Sequence, residues 1–139
     1  MHTNSERLAT AQTIVEKLLD SKKYPFDGLK PSDLGERLHV VYAIFDKADG
    51  VCLYVGRTKN LRQRLYTNHL MGPKSTARLK KYLTEDETRT DIPTMKAAKQ
   101  FLKDRCYFQY LPIQEMSERG QIEGLLSYML NVQYIHEEH

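Results

Sequence analysis

Apolar residues recur along this chain with two different periods, and the changes of period mark out its elements. In TNSERLATAQTIVEKLLD, Leu8, Ala11, Val15 and Leu18 fall at helical spacing behind a Thr3/Glu6 capping box, which predicts an amphipathic helix. Pro25, Gly28 and Pro31 break that pattern, leaving room for a short helical turn around Asp33 to Leu38. VVYAIFD and VCLYVG are then β-branched and aromatic at consecutive positions, and the KADG between them ends in a hairpin-forming Asp-Gly. Two adjacent antiparallel strands covered on both faces are predicted. Gly56 is expected to let the chain leave the second strand, and Asn60, with Gln63 three residues on, to cap a helix carrying Leu61 and Leu65 that Gly72-Pro73 ends.

STARLKKYL opens another predicted helix at Ser75, and the polar TEDETRTD is a loop. TMKAAKQFLKDR has Met95, Ala98, Phe101 and Leu102 at helical spacing, and CYFQYLPI reads as a third strand. A last helix, SERGQIEGLLSYML, has Ile122, Leu125, Leu126 and Met129 on its apolar side. The expected fold is α+β: a small antiparallel sheet of about three strands flanked by helices. Residues 1–38 are expected as an N-terminal helical extension packed on a domain of residues 39–139, one compact unit.

Composition narrows the class. With 40% hydrophobic and 28% charged residues and no apolar run near the roughly 20 residues of a membrane span, the chain reads as globular and free of membrane spans. MHTNSERLAT lacks the basic-then-apolar order of a secretory signal, so a cytoplasmic, reducing location is expected, with Cys52 and Cys106 as buried thiols. The net charge of +3 says little, but its distribution says more. From residue 50 to residue 84 there is no Asp or Glu, while Arg57, Lys59, Arg62, Arg64, Lys74, Arg78, Lys80 and Lys81 all fall there. Solvated faces ordinarily mix both signs, so this segment favours a polyanion, which Lys59, Arg62, Lys74, Arg78, Lys80 and Lys81 are expected to contact.

VVYAIFD and LYVGRTKNLRQRL, in that order, resemble the signature of the GIY-YIG nuclease superfamily, in which a Gly-Ile-Tyr strand and a Tyr-Ile-Gly strand form a hairpin followed by a helix with an essential arginine. Val40-Val41-Tyr42 stands for the first triplet, without its glycine, and Tyr54-Val55-Gly56 for the second. The local likeness is greatest to the excinuclease members of that superfamily, in whose nuclease domain a Tyr-Val-Gly-Lys stretch runs into a similar Asn-Leu helix start. RGQIEGLLSYML resembles the later helix that carries the family's metal-binding glutamate, here Glu123. The resemblance spans roughly Val40 to Asn131.

It implies a metal-dependent endonuclease that hydrolyses DNA phosphodiester bonds, with RNA left open. Arg64 would clamp the phosphate and Glu123 would hold one Mg²⁺ or Mn²⁺ ion. Tyr54, or the Tyr42/Tyr54 pair, would accept the proton of the attacking water, with Arg57 as the cation that favours the phenolate. Many members carry a His or Tyr one helical turn after the arginine; Asn68 has that place here, and His69 reaches the site if the helix loosens. His39 is expected at a strand end and Asn131 as a helix C-cap.

These residue types suit the chemistry. A guanidinium stays charged and matches two phosphate oxygens at once, and Mg²⁺ takes one or two carboxylates while keeping several waters. A phenol, with a reference pKa near 10, needs cations nearby to act as a base at neutral pH. Two other readings stand beside the nuclease: a nucleic-acid-binding module with weak or lost cleavage, and an interaction protein whose N-terminal helix meets a second copy or a partner protein. At this length no separate sequence-reading domain is expected, so specificity is expected to come from DNA shape, a dimer or a partner.

Overall fold

The computed structural model describes residues 3–135. Its centre is the predicted hairpin: β2 (Val40–Asp46) runs antiparallel to β3 (Cys52–Thr58) and, on its other side, to β4 (Cys106–Pro112). All seven residues of β2 are buried, as their consecutive apolar character requires. Gly50, at φ +75°, supplies the turn conformation, and a bulge interrupts the β2–β3 register between Ile44 and Phe45.

The sheet has four strands, in the order β1-β4-β2-β3, where about three were expected. The extra strand, β1 (Tyr24–Pro25), is two residues long and lies in the stretch read as a break. Its partner decides it: Tyr24 pairs with Phe108 and their rings stack at 5.3 Å. That contact is tertiary and leaves no local pattern.

Alternation along β2 sends even-numbered side chains to one face and odd-numbered ones to the other. On the first face a π-helix (Gln63–Leu70), α2 (Arg78–Glu85) and α3 (Met95–Arg105) surround Val40, Tyr42 and Ile44, with Leu61, Leu65, Leu79 and Leu102 in the same layer. On the second, α1 (Asn4–Asp20) and α4 (Met116–Met129) bring Leu18, Ile122 and Leu126 against Val41, Ala43 and Phe45. The Thr3/Glu6 capping box starts α1, and the buried Gln109 amide donates to the carbonyls of Leu19 and Ser21 at its end.

Several boundaries move. The turn expected around Asp33 to Leu38 is a 3₁₀ turn at Pro31–Asp33. α2 starts at Arg78 and not Ser75, because the Pro73 carbonyl accepts from Thr76 and Ala77 and closes a separate turn ahead of the helix. Met129, expected on the apolar side of α4, is 53% exposed, while Ile122 and Leu126 are buried. Asn131 follows α4 in the left-handed conformation, φ +50°, as its C-cap reading requires. Cys52 and Cys106 are free buried thiols, each pushed up to about 12 by burial, so neither forms a nucleophilic thiolate at neutral pH. No helix among the described residues is long and apolar enough to cross a membrane.

Leu18 is fully buried and Leu8, on the same helix, is 72% exposed. Leu18→Ala is therefore expected to cost about 2–5 kcal/mol in urea denaturation. Leu8→Ala should change stability by no more than about 0.5 kcal/mol.

Candidate active site

Tyr42 lies opposite Gly56 in the β2–β3 register, and its phenol ring covers the glycine. A Cβ at Gly56 would collide with the ring and its hydroxyl. The glycine therefore sits within β3 and makes room for Tyr42, rather than releasing the chain from the strand. Tyr54, two residues earlier on the same face, stacks with Tyr42 at a centroid distance of 6.2 Å. The imidazole of His69 stands edge-on to both rings, and its Nε2 lies 2.7 Å from the Tyr42 hydroxyl.

His69 arrives there because its helix is wound as a π-helix. The Met71 N–H bonds the carbonyl of Tyr66, five residues back, at 3.0 Å. In an α-helix the residue one turn after Arg64 would be Asn68, with His69 about 100° away. With i→i+5 winding each turn takes up more residues, so the fifth residue after Arg64, His69, swings back toward the face that Arg64 occupies. The far end of the π-helix is held by Lys80, whose buried Nζ donates to the Leu70 carbonyl at 2.8 Å. Burial, with Lys99 nearby, brings the Lys80 ammonium down to about 8.

Burial also sets the protonation of the cluster. It raises the Tyr42 phenol well above its usual value; Tyr54 and Glu123 push the same way, and Arg64 and Arg78 oppose. Tyr54 is raised by burial too, opposed by the charge and hydrogen bond of Arg78 and then by the charge of Arg64. Both phenols keep their protons at neutral pH. Burial and the charges of Arg64, Lys80 and Arg78 push His69 down to about 3, so the imidazole is neutral. Its Nδ1 is buried without a hydrogen-bond partner among the described residues.

The cations divide into distinct groups. Arg64 is half-buried, and its guanidinium has no hydrogen-bond or ion-pair partner among the described residues. With Arg57, Lys59, Asn60, Gln63 and Arg119 it lines a crevice of about 440 Å³. Arg57 was expected beside Tyr54, but strand alternation turns it toward α4, where its Nε lies 4.0 Å from Glu123 Oε1. The cation hydrogen-bonded to Tyr54 is Arg78, from the first turn of α2. The sequence places Arg78 only among general nucleic-acid contacts, because nothing local distinguishes it from its basic neighbours.

Two other expected contacts are spent internally. Lys80 holds the π-helix, and Arg62 donates through Nε and Nη2 to the Leu34 carbonyl at 3.1 and 3.0 Å. Lys74 pairs with Glu85 at 3.3 Å, whereas Lys59 and Lys81 are exposed. Buried Arg119 fastens the β4–α4 loop by donating to the carbonyls of Ile113 and Gln114, with His39 Nδ1 3.4 Å away at the start of β2.

Glu123 is a half-exposed carboxylate at the edge of this arrangement. No group of three or more His, Cys, Asp or Glu side chains among the described residues is arranged to cage a metal. A lone hard oxygen donor does not fit a zinc-type centre, but it fits a Mg²⁺-type site that takes one or two carboxylates, keeps waters and uses substrate phosphate oxygens.

Residues 38–103 match the family model described as the GIY-YIG catalytic domain. The hairpin and the four-stranded antiparallel sheet with flanking helices are consistent with a GIY-YIG domain over these residues. Members of the GIY-YIG family are endonucleases that generally use divalent metals, so the matched domain is of nuclease type. The match takes in Tyr42, Tyr54, Arg57, Arg64, His69 and Arg78; Glu123 lies beyond it. No curated protein and no solved structure matches the chain.

The buried imidazole makes stability depend on pH. His69 titrates near 6.5 when unfolded and near 3 when folded, so between these values the unfolded state binds a proton that the native state does not. Stability should fall with falling pH by up to about 1.4 kcal/mol per unit in that window. Urea unfolding at pH 7, 5.5 and 4.5 should give a steeper decline for wild type than for His69→Gln; parallel declines would contradict it. Gly56→Ala should cost about 1–3 kcal/mol, because fully buried Tyr42 cannot move aside.

Proposed function

We propose that this protein is an endonuclease that hydrolyses DNA phosphodiester bonds at the cluster of Tyr42, Tyr54, Arg64, His69 and Arg78, with Glu123 holding the divalent ion. The observation that carries the reading is Arg64: a half-buried guanidinium without a protein partner among the described residues, its charge felt by both tyrosines, on the wall of a cationic crevice. A cation left unpaired beside neutral phenols is suited to an anionic substrate, and its fork matches two phosphoryl oxygens.

Tyr54, a neutral phenol at rest, must first lose its own proton to take that of the attacking water, and Arg78 by charge and hydrogen bond and Arg64 by charge favour that ionised form against burial. Neutral His69 holds Tyr42 over Gly56 and keeps the inner half of the cluster uncharged. Arg64 stabilises negative charge growing on the phosphoryl oxygens. An Mg²⁺ or Mn²⁺ ion on Glu123, when bound, would neutralise phosphoryl charge and acidify water. Lys59 and Lys81, both exposed in the basic segment, contact the nucleic-acid backbone. Residues 1–38 belong with residues 39–139 as one unit on this reading, since Leu18 shares an apolar layer with Val41 and Ile122.

The test is purified protein with supercoiled, branched and single-stranded DNA, in Mg²⁺ or in chelator. Wild type should cleave at least one of them in Mg²⁺ only. Arg64→Ala and Glu123→Ala should each lower cleavage by about 100-fold or more. Tyr54→Phe should lose cleavage while retaining DNA affinity. The absence of any Mg²⁺-dependent difference between wild type and Glu123→Ala would favour a binding module instead. Lys80→Met should leave DNA affinity unchanged and destabilise the fold by about 1–3 kcal/mol, through the lost bond to Leu70.

A further inference from the structure

Two glycines stand one turn apart in the interior of α4, Gly120 and Gly124, where glycine weakens a helix relative to alanine. Their surroundings differ. A Cβ at Gly124 would meet nothing within 4 Å, whereas one at Gly120 would collide with Nη1 of Arg57. The guanidinium of Arg57 thus rests against the helix in a space that a side chain at residue 120 would fill. Three residues on, on the same side of the helix, Glu123 presents Oε1 at 4.0 Å from Arg57 Nε.

The pair is placed to be exchanged. The two side chains are 50% and 33% exposed, and an ion pair of that length and exposure adds little to stability. The rest of the crevice around Arg57 is cationic or neutral, with Lys59, Arg64 and Arg119 on its walls, so Arg57 has no second carboxylate there. Glu123, in turn, has no other ion-pair partner among the described residues.

We infer that Gly120 seats Arg57 as a displaceable counter-ion of Glu123, so that Arg57 and a divalent cation compete for one carboxylate. With no cation bound, Arg57 neutralises Glu123. When a cation takes the carboxylate, Arg57, already on the wall of the crevice it shares with Arg64, is freed to meet the substrate phosphate as a second guanidinium. Gly120 and Arg57 act here as positioning residues. The inference rests on Glu123 being the metal ligand, and it adds an order of events: metal first, then Arg57 on phosphate.

Competition has a direction that can be measured without turnover. Mn²⁺ binding should be followed by electron paramagnetic resonance in wild type, Gly120→Ala, Gly124→Ala, Arg57→Gln and Glu123→Gln. Both Gly→Ala changes should hold or raise the melting temperature, because alanine is the better helix former and the group displaced at residue 120 is the mobile end of an arginine. Gly120→Ala and Arg57→Gln should tighten Mn²⁺ binding by about fivefold, the equivalent of one exposed ion pair, while Gly124→Ala leaves it unchanged. In wild type, Mg²⁺ should shift the Arg57 Nε–Hε resonance, and Glu123→Gln should abolish that shift. If Mn²⁺ binds through Glu123 with equal affinity in wild type, Gly120→Ala and Arg57→Gln, the counter-ion is overturned and the metal ligand stands. If Glu123→Gln binds Mn²⁺ as wild type does, both are overturned.

Discussion

The hydrogen bond between Tyr42 and His69, made over a glycine, is the contact on which the rest of the site depends. It needs a register that sets Tyr42 opposite Gly56, a residue there without a side chain, and a helix wound loosely enough to bring round the fifth residue after Arg64. Lys80 holds the end of that helix through the Leu70 carbonyl. A buried polar pair is worth little net when satisfied, but leaving one partner orphaned costs about 1–3 kcal/mol, which ties helix winding to strand register. Once both are fixed, Arg64 has its place in the crevice and its charge reaches both phenols.

The face that carries the tyrosines is neutral at its centre, with Arg64 at its rim, while Arg57 pairs with Glu123 of α4 and lines the same crevice as Arg64. At Gly56, between Val55 and Arg57, the Tyr42 hydroxyl occupies the space that a side chain would take. β3 is also an edge strand, and its start is covered by the chain after α4: Gln133 and Tyr134 donate to the carbonyls of Cys52 and Leu53. Tyr134 is tied to the α2–α3 loop through Asp86 and Arg89, whose bonds anchor that cover. The end of β3 that carries Gly56 and Arg57 lies beyond those two bonds, beside the crevice.

Much of this was legible in the residues, for physical reasons that also explain the failures. Consecutive apolar positions in VVYAIFD demand burial on both faces, and a Thr-x-x-Glu start is a local bond pattern, so β2 and the beginning of α1 are as expected. β1 exists only because Tyr24 finds Phe108, 84 positions away, and the π-winding depends on Lys80 and Tyr42, outside the helix itself. Among the basic residues the sign of the charge was readable but the direction of the side chain was not. Arg62 and Lys80 serve carbonyls, Arg78 serves Tyr54, and Arg57 faces away from it because side chains in a strand alternate.

The imidazole ¹⁵N spectrum of His69 from pH 7 to pH 4.5 tests this arrangement most directly. A neutral ring throughout, with an Nε2 resonance that moves in Tyr42→Phe, is the result expected of a buried imidazole bonded to that phenol and pushed down to about 3. A ring that titrates near 6.5 and ignores Tyr42→Phe would mean that His69 faces solvent, that the helix is not wound as described, and that the site is not assembled in this way.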